Sequence, residues 1–332
     1  RRKTSGARST SGLTPARRAA SVAGQPVTMS PAIFTFTGNL LAERTQHFAA
    51  WAPGRTQRAT GESFQVGGKG INVAKMLARF GTPATALAFT GGSTGEDCRA
   101  WLARQRFASE LFSTVAATRS GLVVRTDGQP ETTFLGPDAA PDAAAWQAAA
   151  QYLDVQPTRP GSALAICGSS PGWASADAAP WRDAIGRWLQ RGHLLVVDSY
   201  GPPLADLVAR PVALIKINAD ELRVLLGADA TADTAANLAL AQARWPHPVW
   251  AISDGPGPVW LAEPGQPLVR FTPPPVVEVS ATGSGDVLLA SLLHARLVRS
   301  MSWRESLAFA LPYASANAAH PGIAEFPDLT LS

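Results

Sequence analysis

Ala213-Leu214-Ile215-Lys216-Ile217-Asn218-Ala219-Asp220-Glu221-Leu222-Arg223-Val224-Leu225-Leu226 contains the unit from which the chain is built. Ala213 to Ile217 is a short β-rich run, and Ala219 to Leu226 reads as a helix. Between them Asn218 stands where an N-cap is wanted, and Glu221 follows at the spacing of a capping-box partner. The same alternation extends both ways. Candidate core strands are Ala32 to Thr37, Ala84 to Phe89, Ala163 to Cys167, Leu194 to Asp198, Ala213 to Ile217 and Val249 to Ile252. Helical patterns fall between them at Ile71 to Phe80, Glu96 to Gln105, Asp142 to Leu153, Ala179 to Arg191, Ala219 to Leu226 and Ala235 to Arg244. Regular alternation of this kind predicts a single doubly wound α/β domain, a mostly parallel sheet with helices on both faces. Two stretches break the rhythm. Residues 40–66 and 120–136 carry alternating residues and turn signals, Pro53-Gly54 and Asp127-Gly128, which suit a small antiparallel β lid over the sheet's carboxyl edge.

The bulk composition fits this reading. Of 332 residues, 46% are hydrophobic and 16% charged, as expected of a globular chain able to bury a core without staples. Cys98 and Cys167 lie far apart in no metal or redox spacing, so a cytoplasmic setting is expected. The most apolar stretch, Val287 to Val298, is interrupted by Ser291, His294 and Arg296, so no membrane span is expected. The net charge of +4 belongs to one end. Residues 1–28 hold Arg1, Arg2, Lys3, Arg8, Arg17 and Arg18 with no acid, and taking that +6 away leaves −2. That segment is expected to be a disordered basic extension ahead of Met29, with the folded domain occupying 29–332 and no nucleic-acid partner for its body.

The strongest chemical signal is Ala281-Thr282-Gly283-Ser284-Gly285-Asp286, followed by the helical run Val287-Leu288-Leu289-Ala290. Small residues admit a ligand close to the backbone, a helix start offers free N–H groups, and a carboxylate sits in the first turn. Transfer of a γ-phosphoryl group needs both such donors and a base beside the incoming hydroxyl. Gly283, Ser284 and Gly285 are candidate donors and Asp286 the candidate base, although a Gly-rich turn with an Asp stabilising a helix N-terminus accounts for the pattern equally well. A second signal is Val66-Gly67-Gly68-Lys69-Gly70-Ile71-Asn72-Val73-Ala74, where Gly67 and Gly68 admit a polyol, Asn72 meets hydroxyls and Lys69 meets a phosphate. A tight turn with a surface lysine is the plainer reading. Neither signal is a Walker A loop, since Gly70 follows Lys69, nor a dinucleotide fingerprint, since Leu288 stands where a third glycine belongs.

The two signals in this order and separation resemble the PfkB/ribokinase family of carbohydrate kinases, over nearly all of 33–326. Gly67 to Ala74 resembles the family's first signature and Thr282 to Asp286 its second, which contains the catalytic aspartate. Gly168-Ser169-Ser170-Pro171-Gly172 and Asp198-Ser199 resemble its landmarks after central strands, and Asn218 with Glu221 its N-x-x-E pattern. The resemblance implies a ribokinase-like fold and an ATP- and Mg2+-dependent kinase of a sugar or sugar phosphate. It also implies Lys216, Asn218, Ser253 and Gly255 at the nucleotide, Glu221 acting indirectly on magnesium, Asn317 near adenine, and a homodimer through the lid. The GGKGINVA run looks most like the 1-phosphofructokinase and tagatose-6-phosphate kinase branch. Three departures stand out. Glu43 takes the place of the sugar-binding aspartate, Thr133 and Leu135 replace a lid Glu and Asn, and the second glycine of Ser253-Asp254-Gly255-Pro256-Gly257 arrives one residue early. A ribokinase-like kinase of a free sugar or nucleoside, or a non-catalytic sugar-phosphate-binding relative, stays open beside the leading reading. The five histidines are scattered and support no triad or metal cluster, and Trp173, Trp181 and Trp188 are expected to serve helix–sheet packing.

Overall fold

The structure, a computed structural model, describes residues 31–129 and 131–329, and every apolar run read as a core strand forms one. The strands are β1 (Ile33–Thr37), β2 (Leu41–Phe48), β3 (Gly61–Gly67), β4 (Thr85–Thr90), β5 (Ala108–Ser113), β6 (Arg119–Thr126) and β7 (Thr132–Leu135). They continue with β8 (Ala163–Cys167), β9 (Leu194–Asp198), β10 (Leu214–Asn218), β11 (Val249–Ser253), β12 (Val259–Ala262) and β13 (Val269–Phe271). The helices are α1 (Lys69–Arg79), α2 (Gly92–Leu102), α3 (Ala143–Val155), α4 (Ala179–Gln190) and α5 (Pro202–Leu207). After them come α6 (Ala219–Leu226), α7 (Thr234–Arg244), α8 (Ser284–Leu293) and α9 (Trp303–Ala318).

Nine strands form one sheet in the order β13-β12-β11-β10-β9-β8-β1-β4-β5, parallel from β11 to β5 and antiparallel at the β12–β13 end. Strands such as β1 and β8 are buried along their whole length, because helices cover both faces and each face needs apolar side chains. One face packs on α1, α8 and α9 through Met76, Leu77, Leu289 and Leu307; the other packs on α3 to α7 through Trp146, Trp181, Trp188, Leu222 and Leu238. Trp173, Trp181 and Trp188 are buried in that second layer, with Trp181 tilted against Phe36 at 4.6 Å between ring centroids.

The lid is a separate four-stranded sheet, β3-β2-β6-β7, assembled from the two stretches that broke the alternation. Its β2–β3 and β6–β7 pairs are antiparallel, and the two hairpins join through a parallel β2–β6 pairing from Leu41↔Arg119 to Phe48↔Thr126.

Several elements escaped the sequence pattern. The helix that carries Asn317, α9, begins at Trp303, behind a Ser302/Glu305 capping box, and runs through Pro312. A proline inside an apolar run looks like a helix stop, yet packing of α9 on α8 overrides its local cost. Strands β5 and β13 lie at the sheet ends, where half-exposed positions blur the apolar run. Cys98 and Cys167 are free and buried. Among the described residues no helix is long and apolar enough to cross a membrane. The basic segment 1–28 and its boundary at Met29 lie outside the described residues.

Candidate active site

From β1 the chain builds outward to β4 and β5 on one side and later to β8, β9 and β10 on the other, so the sheet order reverses between β1 and β8. Connections diverge at such a point and leave a crevice beyond the carboxyl ends of the strands. A cavity of about 1150 Å³ occupies it, walled by the lid, the β1, β8, β10 and β11 ends, and the start of α8. Gly283, Ser284, Gly285, Asp286, Glu43, Gly67, Gly68, Lys69, Asn72, Lys216, Asn218, Ser253 and Gly255 all line it. Glu221 and Asn317 do not.

On the lid wall, Glu43 of β2 lies directly across from Gln65 of β3, whose amide donates to its carboxylate. Burial pushes the Glu43 carboxyl above its usual range; the Gln65 bond pulls it back and the nearby Glu131 charge adds to the rise. Gly67 leaves room beside Glu43, since a Cβ there would stand 3.4 Å from Oε2. Gly68 lines the cavity and also meets a packing demand. Its φ of 138° and a Thr37 methyl only 2.6 Å from any added Cβ show that glycine lets α1 start tight against β1.

The floor is a chain of charges. Lys69 donates to Asp198 at 2.7 Å and to Glu221 at 3.2 Å, and Lys216 donates to the other Asp198 oxygen at 2.8 Å. Asp198 is wholly buried; burial alone would raise its pKa, but the two ammonium groups hold it below the ordinary range. Burial likewise works against the charge on Lys69, while Asp198, Glu221 and Asp286 together hold its pKa well above that of a free lysine. Asn72 donates from Nδ2 to Asp286 Oδ2 at 2.7 Å, fixing the carboxylate in the cavity. Burial, then the Asp198 charge, pushes the Asp286 pKa up from 3.8 to about 6. Asp198 was not among the site candidates. A carboxylate closing the apolar run Leu194 to Val197 at a strand's carboxyl end was the signal available for it.

At the start of α8 the N-cap Gly283 adopts φ 78°, and Ile323 fills the space a Cβ would need, at 2.5 Å. Gly285 leaves room for Lys216, whose Nζ would meet a Cβ there at 2.6 Å. The Gly285 and Asp286 amides, in the first turn, have no partner within the helix and sit beside that ammonium group. Together they make a positive corner next to a fixed carboxylate. Asn317 corrects the adenine expectation. It is fully buried behind the loop, donating to Thr282 O at 3.0 Å and Ser284 Oγ at 3.1 Å and accepting from Ala324 N at 2.9 Å, so it clamps the loop from within the protein.

The far end of the cavity takes in Asn218, Ser253 and Gly255, with Pro273, Pro274 and Pro275 beside them. The Asp254 carboxylate, awkward beside a phosphate, accepts a bond from Thr234 Oγ1 at 2.9 Å. The expected capping box forms: Glu221 N donates to Asn218 Oδ1 at 2.8 Å and Asn218 N to Glu221 Oε2 at 2.9 Å. Among the described residues no three metal-ligating side chains converge. Both Glu221 oxygens are engaged, Oε2 by the Asn218 amide and Oε1 by Lys69 at 3.2 Å.

Comparison with known proteins agrees with this geometry. Residues 39–329 match the profile described as pfkB family carbohydrate kinase. The chain is 28% identical over 269 residues to the ATP-dependent 6-phosphofructokinase isozyme 2 of Escherichia coli (strain K12), covering 80% of this chain and 85% of that protein. It is 30% identical over 277 residues to the 1-phosphofructokinase of Xanthomonas campestris pv. campestris, covering 81% and 85%. Among solved structures, phosphofructokinase-2 from Escherichia coli in complex with potassium superposes with a TM-score of 0.79 at 24% identity, covering 89% of this chain and 94% of the other.

Proposed function

Because the chain belongs to the pfkB family of carbohydrate kinases, we propose that it transfers the γ-phosphoryl group of ATP to a hydroxyl of a ketohexose phosphate, of the fructose-1-phosphate or tagatose-6-phosphate kind, with Asp286 as the base. The observation that carries this reading is the Asp286 carboxylate itself. It is buried, anchored by Asn72, raised to about 6, and stands between a glycine-lined helix start and the Glu43 wall. A base of that pKa is largely ionised at neutral pH yet still takes up a proton readily.

In the step proposed, the acceptor hydroxyl gives its proton to Asp286 as its oxygen bonds to the γ-phosphorus, and the bond to the bridging oxygen of ADP breaks. The first-turn amides of α8 and the Lys216 ammonium face the charge on the transferring group. Lys69, held by Asp198 and Glu221, adds a second fixed cation where acceptor and phosphates meet. Magnesium, when bound to the nucleotide, would neutralise phosphate charge. Glu43, oriented by Gln65, accepts from acceptor hydroxyls. Leu41 and Leu135 crowd Gly121 on the same face, at 3.0 and 3.3 Å from a Cβ built there, so this wall offers fewer polar partners and the acceptor turns to Glu43. A homodimer through the lid is also proposed, because edge strand β7 carries exposed Phe134 and Leu135.

The test is ATP consumption with magnesium across fructose 1-phosphate, fructose 6-phosphate, tagatose 6-phosphate, free sugars and nucleosides, run beside Asp286→Asn. Turnover on a ketohexose phosphate that drops at least about 100-fold in the variant is the expected result. An Asn variant that keeps its rate would remove Asp286 from the mechanism.

A further inference from the structure

At the other end of α1 from Lys69 and Asn72, a second cavity of about 720 Å³ opens between that helix, the turn after α2 and the segment following α9. Its charge is lopsided. Lys75, Arg79, Arg104 and Arg106 face it, against the carboxylates of Glu325 and Asp328. Lys75 bonds to Glu325 and Arg79 to Asp328, each at 2.7 Å, and among the described residues Arg104 and Arg106 have no carboxylate within ion-pair distance.

The cations are the fixed parts of this arrangement. The Lys75 and Arg79 side chains are only 19% and 21% exposed, whereas their partners Glu325 and Asp328 are 54% and 98% exposed. Arg79 also lies 4.3 Å over the Phe326 ring and donates to Ala324 O at 3.2 Å, which locks its guanidinium in place. Exposed partners of this kind contribute little and are readily displaced. An incoming anion would meet two preoriented cations and two free ones, in a concavity of small-molecule size.

We propose that this cavity binds a small phosphorylated molecule carrying two or more negative charges, at a site separate from the kinase centre. The same segment that supplies Glu325 also supplies Ile323, packed on Gly283, and Ala324, bonded to Asn317. Occupancy of the cavity therefore acts on the support of the catalytic loop, and the bound anion is an effector of turnover.

Pyrophosphate serves as the probe. Calorimetric titration of the full chain is compared with an Arg104→Ser/Arg106→Ser variant, whose two side chains sit at the surface and leave the core and the centre untouched. The expected result is a saturable pyrophosphate site in the wild type that weakens at least tenfold in the variant, with basal turnover unchanged. Pyrophosphate is also expected to shift wild-type turnover more than variant turnover. Absence of saturable binding, or binding and kinetic response equal in the two proteins, overturns the proposal.

Discussion

As the proposed base, Asp286 answers two demands that pull apart, since a useful base must hold its charge at neutral pH and still bind a proton strongly. The protein meets them by burying the carboxylate near a second one, Asp198, and then softening the penalty with Lys69, Lys216 and the Asn72 amide. The pKa moves from 3.8 to about 6, and a pH dependence follows in activity and in stability. Activity in kcat/KM should fall on the acid side of about 6 with a single titration. For stability the sign is opposite to that of a salt-bridged acid. A raised carboxyl pKa favours folding while the group is protonated, and that advantage is lost as pH climbs through about 6. Asp286→Asn removes the ionisation, so its Tm should exceed that of the wild type above pH 6, with the gain shrinking toward the ordinary carboxylate range near 3.8. Thermal melts of the two proteins across pH check this; a constant difference would mean that Asp286 is not the titrating group.

Between residue and fold, the helices that aim these side chains were legible to different degrees. Helix α6 could be read to the residue, because its cap is local: Asn218 and Glu221 satisfy each other within one turn. The tie from α9 to the α8 loop was hidden, because Asn317 acts across 35 residues on Thr282 O and 33 on Ser284 Oγ, and one sequence carries no trace of that pairing. The charge chain Lys69–Asp198–Lys216 was half visible in the same way. Its lysines sat in motifs, whereas Asp198, the carboxylate joining them, stood out only as a landmark at a strand end, with nothing local to pair it with either lysine. Asn317→Ala should therefore behave as a damaged buttress rather than a lost nucleotide contact. It leaves the buried Ala324 amide without its partner, a cost of about 1–3 kcal/mol, and releases the Thr282 carbonyl. The expected outcome is a lower Tm and a lower kcat with little change in the KM for ATP. A large rise in that KM with unchanged stability would return Asn317 to the nucleotide.

For the molecule as a whole, the question is what keeps the lid on the sheet's carboxyl edge while phosphoryl transfer excludes water. The lid's existence was legible, because residues 40–66 and 120–136 interrupted the alternation, but its attachment was not. One side rests on the body through Phe64, Val66 and Ala42, packed into the cluster that contains Leu102 of α2. The other side is held by Arg125 of β6, which donates to the Pro321 carbonyl at 2.9 Å and pairs with Glu131 at 2.7 Å. Pro321 precedes the Ile323 that packs on Gly283, so Arg125 links the lid to the loop that supports the catalytic turn. Arg125 is also two positions past Val123 and four past Gly121, so it shares the Glu43 face of the lid. A charged hydrogen bond of this kind contributes about 1.5–3 kcal/mol. If that energy favours the closed lid, Arg125→Ala should raise the acceptor KM by roughly tenfold and increase ATP hydrolysis in the absence of acceptor. Coupled and uncoupled ATP consumption, measured on the same preparation, separates the possibilities. A rise in KM with no uncoupled hydrolysis would make Arg125 a direct acceptor contact, while unchanged values for both would show that the packing of Phe64, Val66 and Ala42 alone holds the lid.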